Sequence, residues 1–90
     1  MQEVYINGKD FDTPKEVHEF LSEELNFPDY YGNNLSALYD VLTELSDDTR
    51  IILDLSEVED ENMIEMLERM AEVMTDAADE NEYLEVSVEQ

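Results

Sequence analysis

There is no cysteine in this chain. That excludes a disulfide framework and a thiolate nucleophile. It also suits a reducing compartment, so a cytoplasmic protein is expected. Glycine is nearly as scarce, with only Gly8 and Gly32, which excludes a glycine-rich phosphate loop. There is one histidine, His18, at the edge of the apolar face of a helix. It reads as a partly buried, hydrogen-bonded structural residue rather than a general base. Basic residues are limited to Lys9, Lys15, Arg50 and Arg69, against 26 acidic ones, for a net charge of −22. A chain of that sign repels nucleic acid and anionic membrane surfaces, and attracts a basic partner at long range. No apolar run approaches the roughly 20 residues of a membrane span. The opening Met1-Gln2-Glu3-Val4 has neither the positive nor the apolar region of a secretory signal, so none is expected.

These absences argue against an enzyme. Carboxylates are so numerous that proximity of two is no sign of acid–base catalysis. Glu57, Glu59, Asp60 and Glu61 offer hard oxygen ligands, but without the spacing and central glycine of a calcium loop they read as a solvated acidic segment. No cofactor or metal is expected.

What is present is a foldable chain. Of 90 residues, 42% are hydrophobic, too many for a disordered acidic tail, and the length suits one domain over residues 1–90 with a small core. The acidity also fits adaptation to high salt. The two readings differ in their response to screening, which stabilises a self-repelling fold but slows steered encounter with a cation.

Periodicity places the elements. Glu3 to Asn7 reads as a strand, and Asn7-Gly8 as a turn. Thr13-Pro14-Lys15-Glu16 has the form of a capping box, and Val17, Phe20, Leu21 and Leu25 follow at helical spacing, predicting a helix from Pro14 to Leu25 that Pro28 stops. A second helix is predicted from Asn34 to Leu45, with Leu35, Leu38, Val41, Leu42 and Leu45 as its stripe. The apolar run Ile51 to Leu55 suggests a strand buried on both faces. Glu57 to Asn62 is read as a loop or short turn. A long helix from Met63 to Ala78 buries most of its methionines, with Met66 at the edge. Tyr83 to Val88 alternates as a last strand. The order implies an α/β fold, a small parallel sheet with helices packed on it.

The segment Pro28 to Leu42, PDYYGNNLSALYDVL, carries the functional signal. It reads as a loop held by Gly32 that enters a helix capped by Asn33 or Asn34. Ser36, Asp40 and Glu44 recur at four-residue intervals, and with Tyr30, Asn34, Tyr39 and Thr43 they can share a face opposite the leucines. Tyrosines give contact area at low entropic cost, and a carboxylate among aromatics suits capture of an arginine or histidine. The same residues fit an ordinary solvated surface equally well.

The chain also resembles the barstar family of ribonuclease inhibitors. The likeness lies in Val4 to Gly8, in the Val17-His18 pair, and nearly residue by residue in Pro28, Tyr30, Tyr31, Gly32, Asn34, Leu35, Ala37-Leu38, Asp40 and Leu42-Thr43. It covers the whole chain and weakens after Leu45. The resemblance implies a three-stranded parallel sheet with packed helices, and a loop and second helix that occlude a nuclease active site. It implies that Asp40 takes the place of a substrate phosphate, flanked by Tyr30, Leu35, Tyr39 and Thr43, with a peripheral acidic contact at Asp76 or, one turn on, Glu80. The expected partner is a basic ribonuclease or nuclease toxin, bound by a chain that is monomeric when free. Departures from the family pattern are Ser36 for an acidic residue, Tyr39 for a tryptophan, Glu44 for a glycine and Leu45 for an aromatic. A nuclease with a differently shaped rim is therefore expected. Two rivals stand beside this reading. One is a module of the same fold for a basic protein that is not a nuclease. The other is a diffuse acidic mimic of nucleic acid.

Overall fold

The computed structural model describes residues 2–90. Strand β1 (Gln2–Asn7) is followed by helices α1 (Pro14–Leu25) and α2 (Leu35–Thr43), then strand β2 (Thr49–Asp54), helix α3 (Glu61–Glu80) and strand β3 (Leu84–Glu89). The strands lie in the order β1-β2-β3, with both pairings parallel. Val4, Ile51 and Val86 stand in one row across the sheet, and Ile6, Leu53 and Val88 in the next. These rows face the helices and meet Leu21, Leu38, Leu42, Leu67, Met70 and Met74 in a single core.

The opposite face of the sheet is open, which corrects the expectation that β2 is buried on both sides. Arg50 and Ile52 are only half buried, and Tyr5, Glu85 and Ser87 beside them are exposed. The reason is topological. Right-handed crossovers in a sheet that always grows in the same direction leave their helices on one side. A continuous apolar run cannot report that direction. The open face is covered instead by long polar side chains. Arg50 lies between Glu3 at 3.5 Å and Glu85 at 3.3 Å, its register neighbours on either strand. The Tyr5 hydroxyl donates to Asp54, whose other oxygen accepts from the Ser56 amide at 2.9 Å.

Local signals explain most boundaries. The Thr13 hydroxyl accepts from the Glu16 amide at 3.3 Å, and the Glu16 carboxylate accepts in return from the Thr13 amide, so the predicted capping box forms. Asn26, at φ 54°, ends α1 in the left-handed conformation before Pro28 is reached. α2 is shorter than predicted, since Asn34 is its cap and Leu45 lies beyond its end. α3 is longer, because Asp60 accepts from the amides of Asn62 and Met63 and so draws Glu61 and Asn62 into the helix. Met63, Met70 and Met74 are buried and Met66 is exposed, as read from their spacing.

Gly8 begins a short 3-10 turn after β1 and is fully packed. A Cβ there would sit 2.6 Å from Val58 Cγ2 and 2.8 Å from Leu67 Cδ1. Gly8→Ala is expected to destabilise the fold by about 1–3 kcal/mol through overpacking. The check is the shift of the urea midpoint at unchanged slope.

Candidate functional site

α2 owes its position to its two ends. At the start, the Asn34 side chain accepts from the Ala37 amide at 2.8 Å and donates to the Gly32 carbonyl at 3.3 Å. Asn33 holds the left-handed backbone, at φ 51°, whereas Gly32 has no positive φ. The loop is therefore not held by glycine's conformational freedom. Gly32 matters for space, since a Cβ on it would lie 2.8 Å from Nδ2 of the Asn34 side chain, the atom that donates to the Gly32 carbonyl. At the other end, the buried Asn81 amide donates at 2.9 Å to the carbonyls of both Leu42 and Leu45. Its oxygen accepts from the Tyr83 amide, also at 2.9 Å. One side chain at the junction of α3 and β3 thus gives the Leu45 carbonyl a donor and adds a second one to the Leu42 carbonyl, which also accepts from the Leu45 amide at 3.4 Å.

Between these ends, Leu38, Val41 and Leu42 are buried, while Ser36, Asp40 and Glu44 form the exposed row predicted from their spacing. Asp40 stands between two grooves. One, of about 390 Å³, is lined by Tyr30, Tyr31, Ala37, Val41, Thr43 and Glu44 as well as Asp40. The other, of about 310 Å³, runs between α2 and α3 and is lined by Leu35, Ser36, Tyr39, Val73 and Asp76 with Asp40. The Thr43 hydroxyl donates to the Asp40 carbonyl at 3.0 Å. Among the described residues the Asp40 carboxylate has neither a hydrogen bond nor an ion pair. By contrast Glu57 is engaged by Lys9 at 3.1 Å and Asn7 at 2.9 Å.

Tyr30 and Tyr31 divide the loop's work. Tyr30 is 82% exposed. Tyr31 is the anchor. Its ring meets Phe27 edge-on with centroids 4.9 Å apart, its amide donates to the Pro28 carbonyl at 2.9 Å, and its hydroxyl is hydrogen-bonded to His18 Nδ1. His18 is buried, which lowers its pKa, and the Tyr31 hydroxyl is pushed above its ordinary value for the same reason.

The structure therefore brings Tyr30, Leu35, Ser36, Tyr39, Asp40, Thr43, Glu44 and Asp76 around two adjoining grooves. Asn34 borders a third depression, with His18 and Met66, and its side-chain amide is engaged in the helix cap. Glu80, the last residue of α3, lines neither of the two grooves. Sequence reasoning missed Val73, which read only as a helix position, and Asn81. The one available hint for Asn81 was an amide closing an acidic helix just before a strand.

The fold and this face define a small α/β protein that presents an acidic, tyrosine-flanked helix. The chain belongs to the barstar family: the family model described as Barstar (barnase inhibitor) matches residues 1–89. A curated relative, the "Putative ribonuclease inhibitor YrdF" of Bacillus subtilis (strain 168), is 49% identical over 43 residues. That match spans about half of either protein, 48% of this chain and 47% of the relative. No helix among the described residues is long and apolar enough to cross a membrane.

Proposed function

We propose that this protein is a ribonuclease inhibitor that binds a basic, barnase-type nuclease and covers its active site with the Tyr30 loop and the exposed row of α2. The observation that supports this best is the free carboxylate of Asp40, exposed between two grooves and held on a helix secured at both ends. Family membership and the description of the relative point the same way.

The mechanism is occlusion. The Asp40 carboxylate occupies the place of an RNA phosphate and pairs with the cationic groups that would bind one. Tyr30 and Tyr39 bring flat, rigid surface to either side. Asp76 offers a second carboxylate across the α2–α3 groove. The net charge of −22 accelerates encounter with a basic target and makes the on-rate fall with salt. Ser36, Tyr39, Glu44 and Leu45 change the rim relative to the family pattern and so direct the choice of nuclease. The inhibitor acts in the cytoplasm as a monomer and needs no cofactor.

The test is RNA cleavage by a panel of barnase-type ribonucleases with and without the protein. Stoichiometric inhibition of at least one member is expected, with an on-rate that falls as salt rises. Binding without inhibition would overturn occlusion and favour a basic partner that is not a nuclease.

A further inference from the structure

The only histidine of the chain lies on α1, outside the exposed row of α2, yet it is joined to the loop that precedes that row. His18 is 4% exposed, and its one hydrogen-bond partner among the described residues is the Tyr31 hydroxyl. Tyr31 in turn is the residue that pins the loop, and Tyr30 is its neighbour in sequence. We propose that His18 is a positioning residue for the partner-binding loop, and that taking up a proton loosens Tyr31, displaces Tyr30 and weakens ribonuclease binding. The part concerning binding rests on the function proposed above; the coupling of His18 to the loop does not.

The chemistry is as follows. With the neutral ring taken as the tautomer protonated at Nε2, Nδ1 accepts the Tyr31 hydroxyl proton. A second proton, on Nδ1, turns the ring into a donor at both nitrogens, so the hydroxyl must rotate its own hydrogen away. Rotation saves the hydrogen bond but leaves a cation in a buried site. The neighbouring charges give it little help. Arg69 of α3 lines the same depression but is paired with Glu65 at 3.2 Å, and Lys15, on the previous turn of α1, is exposed to solvent. Glu19 is adjacent in sequence, and Glu23 and Asp29 border Tyr31 with it from the other side, but none is hydrogen-bonded to the ring among the described residues. Release of Tyr31 admits water and relieves the charge.

The sign follows from linkage. Burial holds the folded-state pKa below the ordinary histidine value, so the unfolded chain binds this proton more readily. The stabilisation associated with neutral His18 is present above the ordinary value and is lost as pH falls through the folded one. A bound ribonuclease that clamps the loop disfavours the proton further, so affinity also falls in that direction.

Two measurements test this. In the free protein, the NMR signals of the Tyr30 ring, compared with those of Tyr83, are followed as His18 titrates. Tyr30 shifting with the midpoint of His18 supports the coupling, and Tyr30 unmoved through that titration overturns it, whatever nuclease is or is not bound. In the complex, affinity for an inhibited barnase-type ribonuclease is compared between about pH 7.5 and about pH 5. The wild type is expected to weaken several-fold more than His18→Asn, with about tenfold as the limit set by one unit of pKa difference between free and bound states. Asparagine supplies an acceptor oxygen near the Nδ1 position but takes up no proton, so titration of the nuclease itself cancels. Parallel curves for the two proteins would overturn the effect on binding.

Discussion

Asp40→Ala is expected to weaken binding of the target ribonuclease by about 2–5 kcal/mol, or roughly 30- to 5,000-fold, while Glu59→Ala changes it by less than about 0.5 kcal/mol. Both residues are exposed carboxylates on the same highly charged chain, so overall field strength does not distinguish them. Position does. Asp40 stands at the meeting of the two grooves, where a bound partner excludes water and every unmatched charge is costly. Removing it leaves the partner's cations buried without their counterion, and much of the loss comes from that exposed mismatch. Glu59 lies in the loop before α3, where solvent screens it and only the on-rate feels its absence. That Asp40 is the dominant contact is what the family resemblance implies. The geometry adds that its carboxylate is free and supported from both ends of α2. The measurement is a titration of ribonuclease activity or a calorimetric isotherm for each variant at one fixed ionic strength. Equal losses from Asp40→Ala and Glu59→Ala would sink the focused site in favour of diffuse acidic mimicry. Because Asp40 makes no side-chain bond within the described residues, unchanged thermal stability is expected to accompany its loss of affinity.

Asn81→Ala is expected to have the largest effect on stability among the polar positions, about 2–4 kcal/mol. The substitution removes three hydrogen bonds at once, taking the donor from the Leu45 carbonyl and the acceptor from the Tyr83 amide, and leaves the Leu42 carbonyl with its 3.4 Å bond from the Leu45 amide. Leu42 has no exposed surface, so its carbonyl lies away from solvent. The same change frees the end of α2, so affinity for the ribonuclease falls in addition, even though Asn81 lies outside the exposed row. Urea unfolding gives the first quantity and inhibition of RNA cleavage gives the second. A loss of stability below about 0.5 kcal/mol would mean that water or backbone adjustment replaces the amide completely.

Much of this site was legible before folding, and the reasons are specific. The row Ser36, Asp40 and Glu44 follows from helical period alone, as does the burial of Leu38, Val41 and Leu42 behind it. The Thr13–Glu16 box and the amide cap before α2 are local interactions within three or four residues, so sequence spacing reports them directly. Gly32 was misread because glycine suggests an unusual backbone angle, while the left-handed position went to Asn33 next to it. Asparagine tolerates that region through its short polar side chain, and the two signals are not separable in a GNN sequence. The open face of the sheet was misread because Ile51-Ile52-Leu53 has the same appearance whether helices cover one face or two.

Composition and period were therefore sufficient for the α/β class, the order of the elements and the acidic face of α2, because each depends on residues a few positions apart. Contacts across the chain decided the rest. Asn81 meets Leu42 and Leu45 across 39 and 36 residues, and His18 meets Tyr31 across 13 and across a change of element. Asp76 shares a groove with Asp40 only because α3 packs against α2. Periodicity carries no information about which elements become neighbours. That choice belongs to the strand order and the shared core, and through them to where Asp40 stands and what surrounds it.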